Sequence, residues 1–268
     1  MNKDELQTIE TELYEWVKGL GFEVIRNYLC SCDNKTEIAI CIPSKNLGIA
    51  INSLSLHSDK YLKKNYHAKK RAIARIENIR LIQITDKQWK EKNEICKSII
   101  LSALGLAAQI NVQDCTIECL KNATDEITTF FERSHIDGFT EGSDYIILRY
   151  EGEITAGLII GQSGVHKEGQ TEVLRYANTN GIEVQGAFDR LVKEYRKTNS
   201  EPLFSYVNLS LFTMSPYDVK PNWFLKGYTN PRYIWTNGSE VIVQTETPPS
   251  NDYYRYYDCG EAIYENVE

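Results

Sequence analysis

The chain has 268 residues, 42% of them apolar and 25% charged, an ordinary globular balance with room for two domains and a sizeable core. The longest apolar run, Ile99 to Ile110, is interrupted by Ser102 and Gln109, so no membrane-spanning helix is expected. The net charge of −7 is unevenly spread: residues 1–112 hold 17 Lys and Arg against 13 Asp and Glu, which leaves −11 on the remainder.

The opening, Met1-Asn2-Lys3-Asp4-Glu5, starts an amphipathic helix and not a secretory signal, so a cytoplasmic location is expected. Leu6, Ile9, Leu13, Trp16, Val17 and Leu20 form one stripe of a helix over residues 3–20, with Gly19 and Gly21 near its end. Phe22-Glu23-Val24-Ile25 reads as a first strand. Two apolar runs follow, 37–44 and 47–58, joined at Lys45-Asn46; their length and turn predict a buried hairpin. Residues 59–78 are expected to be helical. Six cations and no acid lie between Lys60 and Arg71. Residues 80–84 read as another strand, and 86–106 as a closing helix that buries Trp89, Ile95, Ile99 and Ile100.

The hairpin and its flank carry a family resemblance. Glu37-Ile38-Ala39-Ile40-Cys41-Ile42-Pro43-Ser44, then Ile49-Ala50-Ile51-Asn52 with His57-Ser58, then Tyr66-His67 and Lys70, resemble phage homing-type endonucleases related to the very-short-patch-repair enzyme, in the PD-(D/E)XK superfamily. The resemblance covers roughly residues 5–110. It implies a mixed-sheet α/β nuclease domain at 1–112, double-stranded DNA as partner and Mg²⁺ as the metal of the parent family. It also implies two metal-holding carboxylates, and those positions are Ala39 and Ala50 here. A methyl group cannot ligate Mg²⁺, so no metal and no cofactor is expected for the chain as written. Glu10 matches a helix glutamate that supports the metal site, Glu37 lies beside the first strand position, and His57 and His67 match histidines suited to proton transfer near a phosphate. Lys60, Lys63, Lys64, Lys69, Lys70, Arg71 and Arg75 recur at helical spacing and would contact phosphates; the bland alternative is a solvated helix face.

Seven cysteines without a dense framework read as free thiols. Cys30, Cys32, Cys41 and Cys96 are a remote zinc set, on the resemblance alone.

From about residue 113 a second, acidic α+β domain is expected, ending near 246. Residues 125–134 read as an amphipathic helix, 145–150 and 153–160 as paired strands, and 171–177 and 204–208 as further strands with a helix to Lys197 between them. This strand–turn–helix layout resembles a GCN5-related acyltransferase, whose Gln/Arg-x-x-Gly-x-Gly/Ala loop holds the acyl-CoA pyrophosphate at a helix start. Gln185-Gly186-Ala187 is a poor version of that loop, and a glycine required only by a tight turn is the plainer reading. No acyltransferase activity is expected. His135 and His166 read as structural or exposed. The tail, 247–268, is acidic and rich in tyrosine; it would dock a partner, lie over the basic domain or stay disordered.

Three functions are therefore expected in competition. One is a DNA-binding protein on an endonuclease scaffold that has lost cleavage. The second is an active endonuclease present in inactivated form. The third is an interaction protein whose acidic half binds a host or phage protein.

Overall fold

The structure, a computed structural model, describes residues 3–162, 167, 169–212, 217, 220–243 and 247–267; His166 lies outside them. It is a mixed α+β chain of two compact units. Unit 1 comprises Met1–Lys92, Val207–Pro216 and Gly227–Ala262, and unit 2 comprises Asn93–Tyr206, Tyr217–Lys226 and Ile263–Glu268. The division expected from charge and sequence order, 1–112, 113–246 and 247–268, gives each domain one continuous stretch; the observed units interleave, and the tyrosine-rich segment belongs largely to unit 1.

Unit 1 opens with α1 (Lys3–Gly19), β1 (Ile25–Leu29), β2 (Glu37–Ile42), β3 (Leu47–Asn52), α2 (Tyr66–Ile76), β4 (Arg80–Thr85) and α3 (Asp86–Glu91). The four strands form one sheet in the order β1-β2-β3-β4. β2 and β3 are the expected antiparallel hairpin, while β3 and β4 run parallel and α2 occupies the crossover between them. All six residues of β3 are buried, which is why its sequence is a continuous apolar run and not an alternation. The hairpin turns through Pro43–Lys45, and Asn46 takes the left-handed conformation at φ 48°. Gly48 allows close packing there: a Cβ on it would lie 3.0 Å from Ile38 and 3.1 Å from Ile79.

Unit 2 begins with α4 (Asn93–Leu104), so the single closing helix expected over 86–106 is broken. Lys92 leaves helical geometry at φ −128°, ψ 41°. Then follow β5 (Ala108–Asn111), β6 (Thr116–Leu120), α5 (Asp125–Ser134), β7 (Asp144–Tyr150), β8 (Glu153–Gln162), β9 (Thr171–Asn178), β10 (Ile182–Gln185), α6 (Ala187–Arg196) and β11 (Leu203–Asn208). Phe130 and Phe131 of α5 pack with Tyr145, Ile147 and Ile159.

β12 (Trp223–Tyr228), β13 (Tyr233–Thr236), β14 (Val241–Val243), β15 (Tyr254–Tyr257) and β16 (Glu261–Asn266) complete the chain. A seven-stranded sheet has the order β12-β16-β11-β9-β8-β7-β6, and β14-β13-β15 form a small antiparallel sheet in unit 1. Among the described residues no helix is long and apolar enough to cross a membrane.

Candidate functional site

In unit 1 the histidines expected at the site come together around Gln83, at the centre of β4. Gln83 is 2% exposed, and its amide nitrogen donates to the His67 carbonyl at 3.2 Å and to Cys259 Sγ at 3.0 Å. The amide oxygen is thereby the acceptor, and it receives His67 Nδ1–H at 3.1 Å and Asn52 Nδ2 at 3.4 Å. That arrangement fixes the tautomer of His67: Nδ1 carries the proton and Nε2 a bare lone pair. Asn52 also donates to the Tyr256 hydroxyl at 3.2 Å. The His67 ring lies 5.2 Å from His57 and 5.0 Å from Tyr256, centroid to centroid.

Burial sets the charge of both imidazoles. It pushes the His57 pKa down to about 4, with Lys70 adding to the effect, and that of His67 down to about 3, aided by His57 and Lys70. Both are neutral at physiological pH. At such values they are weak proton acceptors but still good lone-pair donors.

Glu10 of α1, Glu37 of β2 and Lys70 of α2 make a second group. Burial raises the Glu10 pKa, and Lys70 opposes this while Glu37 reinforces it. Burial lowers the pKa of Lys70 against the pull of the same two carboxylates. Lys70 therefore faces acids inside the unit. Ala50 is 2% exposed in a core cluster with Ile38, Cys41, Ala74 and Leu81, and Ala39 is half-buried.

The remaining expected cations divide. The Lys60 ammonium meets the Tyr254 hydroxyl at 3.4 Å and lies 4.9 Å from that ring's centroid, and Lys64 lies 5.8 Å from the centroid of Tyr257. Lys63, Lys69 and Arg75 are exposed, while Arg71 is half-buried. The tyrosine-rich segment thus lies along the basic segment, one of the three arrangements expected for it. Ser58 and Tyr256 form an antiparallel bridge, Asp59 N–H donates to the Arg255 carbonyl at 2.7 Å, and Arg255 N–H donates to the Asp59 carboxylate at 3.0 Å. Among the described residues no three metal-ligating side chains converge, and all seven cysteines are free. Cys30 and Cys41 sit in the unit 1 core, whereas Cys96 belongs to unit 2.

Sequence reasoning missed Gln83, Asn52, Tyr256 and Cys259. Gln83 left a signal, a lone amide inside Leu81-Ile82-Gln83-Ile84; a buried polar group there demands partners. Nothing local connects Tyr256 or Cys259 to it.

Unit 2 has one notable opening in its sheet. β9 and β11 are parallel neighbours, yet among the described residues only Glu172–Phe204 and Val173–Ser205 are paired. Past those pairs a run of side chains joins the two strands. Tyr176 of β9 meets Phe188 of α6 at 5.1 Å, Phe188 meets Tyr217 at 5.2 Å, and the Tyr217 hydroxyl bonds Ser205 Oγ of β11 at 2.7 Å. Trp223 and Tyr264 pack on Tyr217 at 4.4 and 5.0 Å. Gly186 precedes α6 in left-handed geometry at φ 79° with no side-chain cap, as a tight strand-to-helix turn requires. Burial pushes the Tyr176 pKa up to about 12, and the Asn178 side-chain amide donates to its hydroxyl at 3.3 Å.

No family model and no curated protein matches the chain. Solved structures do. An acyl-CoA N-acyltransferase from Pseudomonas aeruginosa is similar at 12% identity and TM-score 0.34, over 57% of this chain and 99% of that one. A GNAT family acetyltransferase from Elizabethkingia anophelis with acetyl-CoA bound matches at 14% and 0.37, over 58% and 99%. The ribosomal-protein-S18-alanine N-acetyltransferase from Escherichia coli matches at 12% and 0.35, over 56% and 93%. These findings overturn the endonuclease resemblance. The structures found are N-acyltransferases, not PD-(D/E)XK nucleases, and no family model restores a homing or very-short-patch-repair assignment. The expected DNA-binding scaffold and its active-endonuclease variant fall with it, and the interaction-protein alternative gains no support. At these identities and scores the matches say nothing further about this chain's chemistry.

Proposed function

We propose that the chain acts by binding, with unit 1 as the ligand-binding part and unit 2 as a non-catalytic scaffold of acyltransferase-like layout. The observation that carries this reading is the run of ring contacts from Tyr176 through Phe188 to Tyr217, whose hydroxyl bonds Ser205 Oγ. A ligand threading between β9 and β11 would have to displace three packed aromatic side chains. Burial of a single aromatic side chain contributes roughly 1.5–3 kcal/mol, so displacement would cost more than a typical cofactor contact returns.

Unit 1 favours binding for a different reason. Burial holds its two histidines neutral and the Gln83 amide fixes His67, a state suited to lone-pair donation and not to proton relay at neutral pH. The test is a thermal-shift titration of the full chain with acetyl-CoA and desulfo-CoA, alongside an assay for acetyl-CoA consumption with a mixture of amine acceptors. No saturable shift and no turnover are expected. A saturable shift at micromolar acetyl-CoA, or turnover above background, would contradict the reading.

A further inference from the structure

We propose that His57 and His67 form a two-histidine site for a borderline or soft transition-metal cation of the Zn²⁺ or Co²⁺ class, bound through His57 Nδ1 and His67 Nε2. This names a ligand for unit 1 within the binding reading above. It stands apart from the acetyl-CoA titration, which tests unit 2 alone.

Three observations carry it. First, both nitrogens are buried and neither has a hydrogen-bond partner, which leaves two desolvated lone pairs uncompensated. Second, the other nitrogen of His67 donates to the Gln83 amide oxygen at 3.1 Å. Metal-ligating imidazoles nearly always make such an outer hydrogen bond, because it fixes the ring and the tautomer. Third, the two ring centroids are 5.2 Å apart. A tetrahedral cation with metal–nitrogen bonds of about 2.0–2.1 Å holds two imidazole centroids roughly 5 Å apart.

The donor set also selects the ion. Neutral imidazole suits zinc, cobalt, nickel and copper, whereas Mg²⁺ and Ca²⁺ demand oxygen ligands. No third His, Cys, Asp or Glu converges on the pair among the described residues, so solvent or an added small ligand would complete the coordination. His57 is half-buried while His67 is 2% exposed; entry is from the His57 side. The same two atoms would also accept hydrogen bonds from one bridging water, and the experiment separates the two occupants.

The untagged full chain is stripped with chelator and titrated with Co²⁺ and Zn²⁺, following heat by calorimetry and the visible Co²⁺ bands by absorbance. One equivalent is expected, displaced from cobalt by zinc. His57→Ala should weaken binding at least tenfold, and because His57 is half-buried this variant keeps the fold. His67→Ala should abolish binding, with circular dichroism confirming the fold. Gln83→Leu should weaken it about 10–100-fold, as loss of an outer-sphere partner does. His135→Ala and Cys32→Ser should leave it unchanged. No binding at all, or binding unaffected by His57→Ala, would overturn the proposal and leave a bridging water as the occupant.

Discussion

At the scale of single residues, Gln83 decides the most. Its amide satisfies His67 twice, Asn52 and Cys259, so truncation would strand several buried groups together. Gln83→Ala is expected to destabilise unit 1 by about 2–4 kcal/mol in urea titration; a loss below about 0.5 kcal/mol would mean the network contributes little. The histidines predict a pH dependence with a definite sign. An unfolded imidazole protonates near 6.5, while His57 and His67 in the fold resist until about 4 and about 3. Between those values the unfolded chain binds more protons, so stability rises with pH from about 4 to about 6.5 and falls on acidification through that window. Urea midpoints at pH 5 and pH 7 should differ clearly in the native chain and much less in the His57→Gln/His67→Gln variant. Equal pH slopes in the two proteins would show that the rings are not held neutral.

At the scale of elements, most of the architecture was legible because hydrophobic period and turn chemistry are local. The hairpin, α1, α5 and the β7–β8 pair fall close to where the sequence puts them. The miss at α2 has a physical cause. Residues 59–65 were expected to be helical, but Asp59 pairs with Arg255, and the Tyr61 and Leu62 amides turn back to the Ser58 carbonyl. A contact nearly 200 positions away thus competes with helix propensity and delays the start to Tyr66. β15 should therefore protect the segment around Asp59: hydrogen exchange at the Asp59 amide is expected to quicken on Tyr256→Ala, and an unchanged rate would separate the two. A second element test concerns β8, which packs directly on α5. A Cβ at Gly157 would stand 2.9 Å from Phe131 Cζ and 3.1 Å from Phe130 Cε1. Gly157→Ala should cost roughly 1–3 kcal/mol by overpacking, read as a lower midpoint in urea; a neutral result would mean that α5 yields easily.

At the scale of the whole molecule, the interleaving of the two units was invisible in the sequence. The charge contrast between the halves suggested a division near residue 112, yet the acids of the late segment are answered locally: Arg232 pairs with Asp258 at 3.2 Å and with Glu261 at 2.9 Å within unit 1. Charge counting cannot see such pairing, nor could it place Tyr256 beside His67. The aromatic side chains that close the β9–β11 gap come from separate stretches of chain, so the filled crevice was also beyond reach. The central claim is that this crevice belongs to the protein's own side chains. It is tested most directly by following the Phe188 backbone amide in a nitrogen-15 NMR titration with acetyl-CoA. With Phe188 packed between the Tyr176 and Tyr217 rings, this resonance is expected to stay in place to millimolar ligand; a saturable shift at micromolar ligand would contradict it.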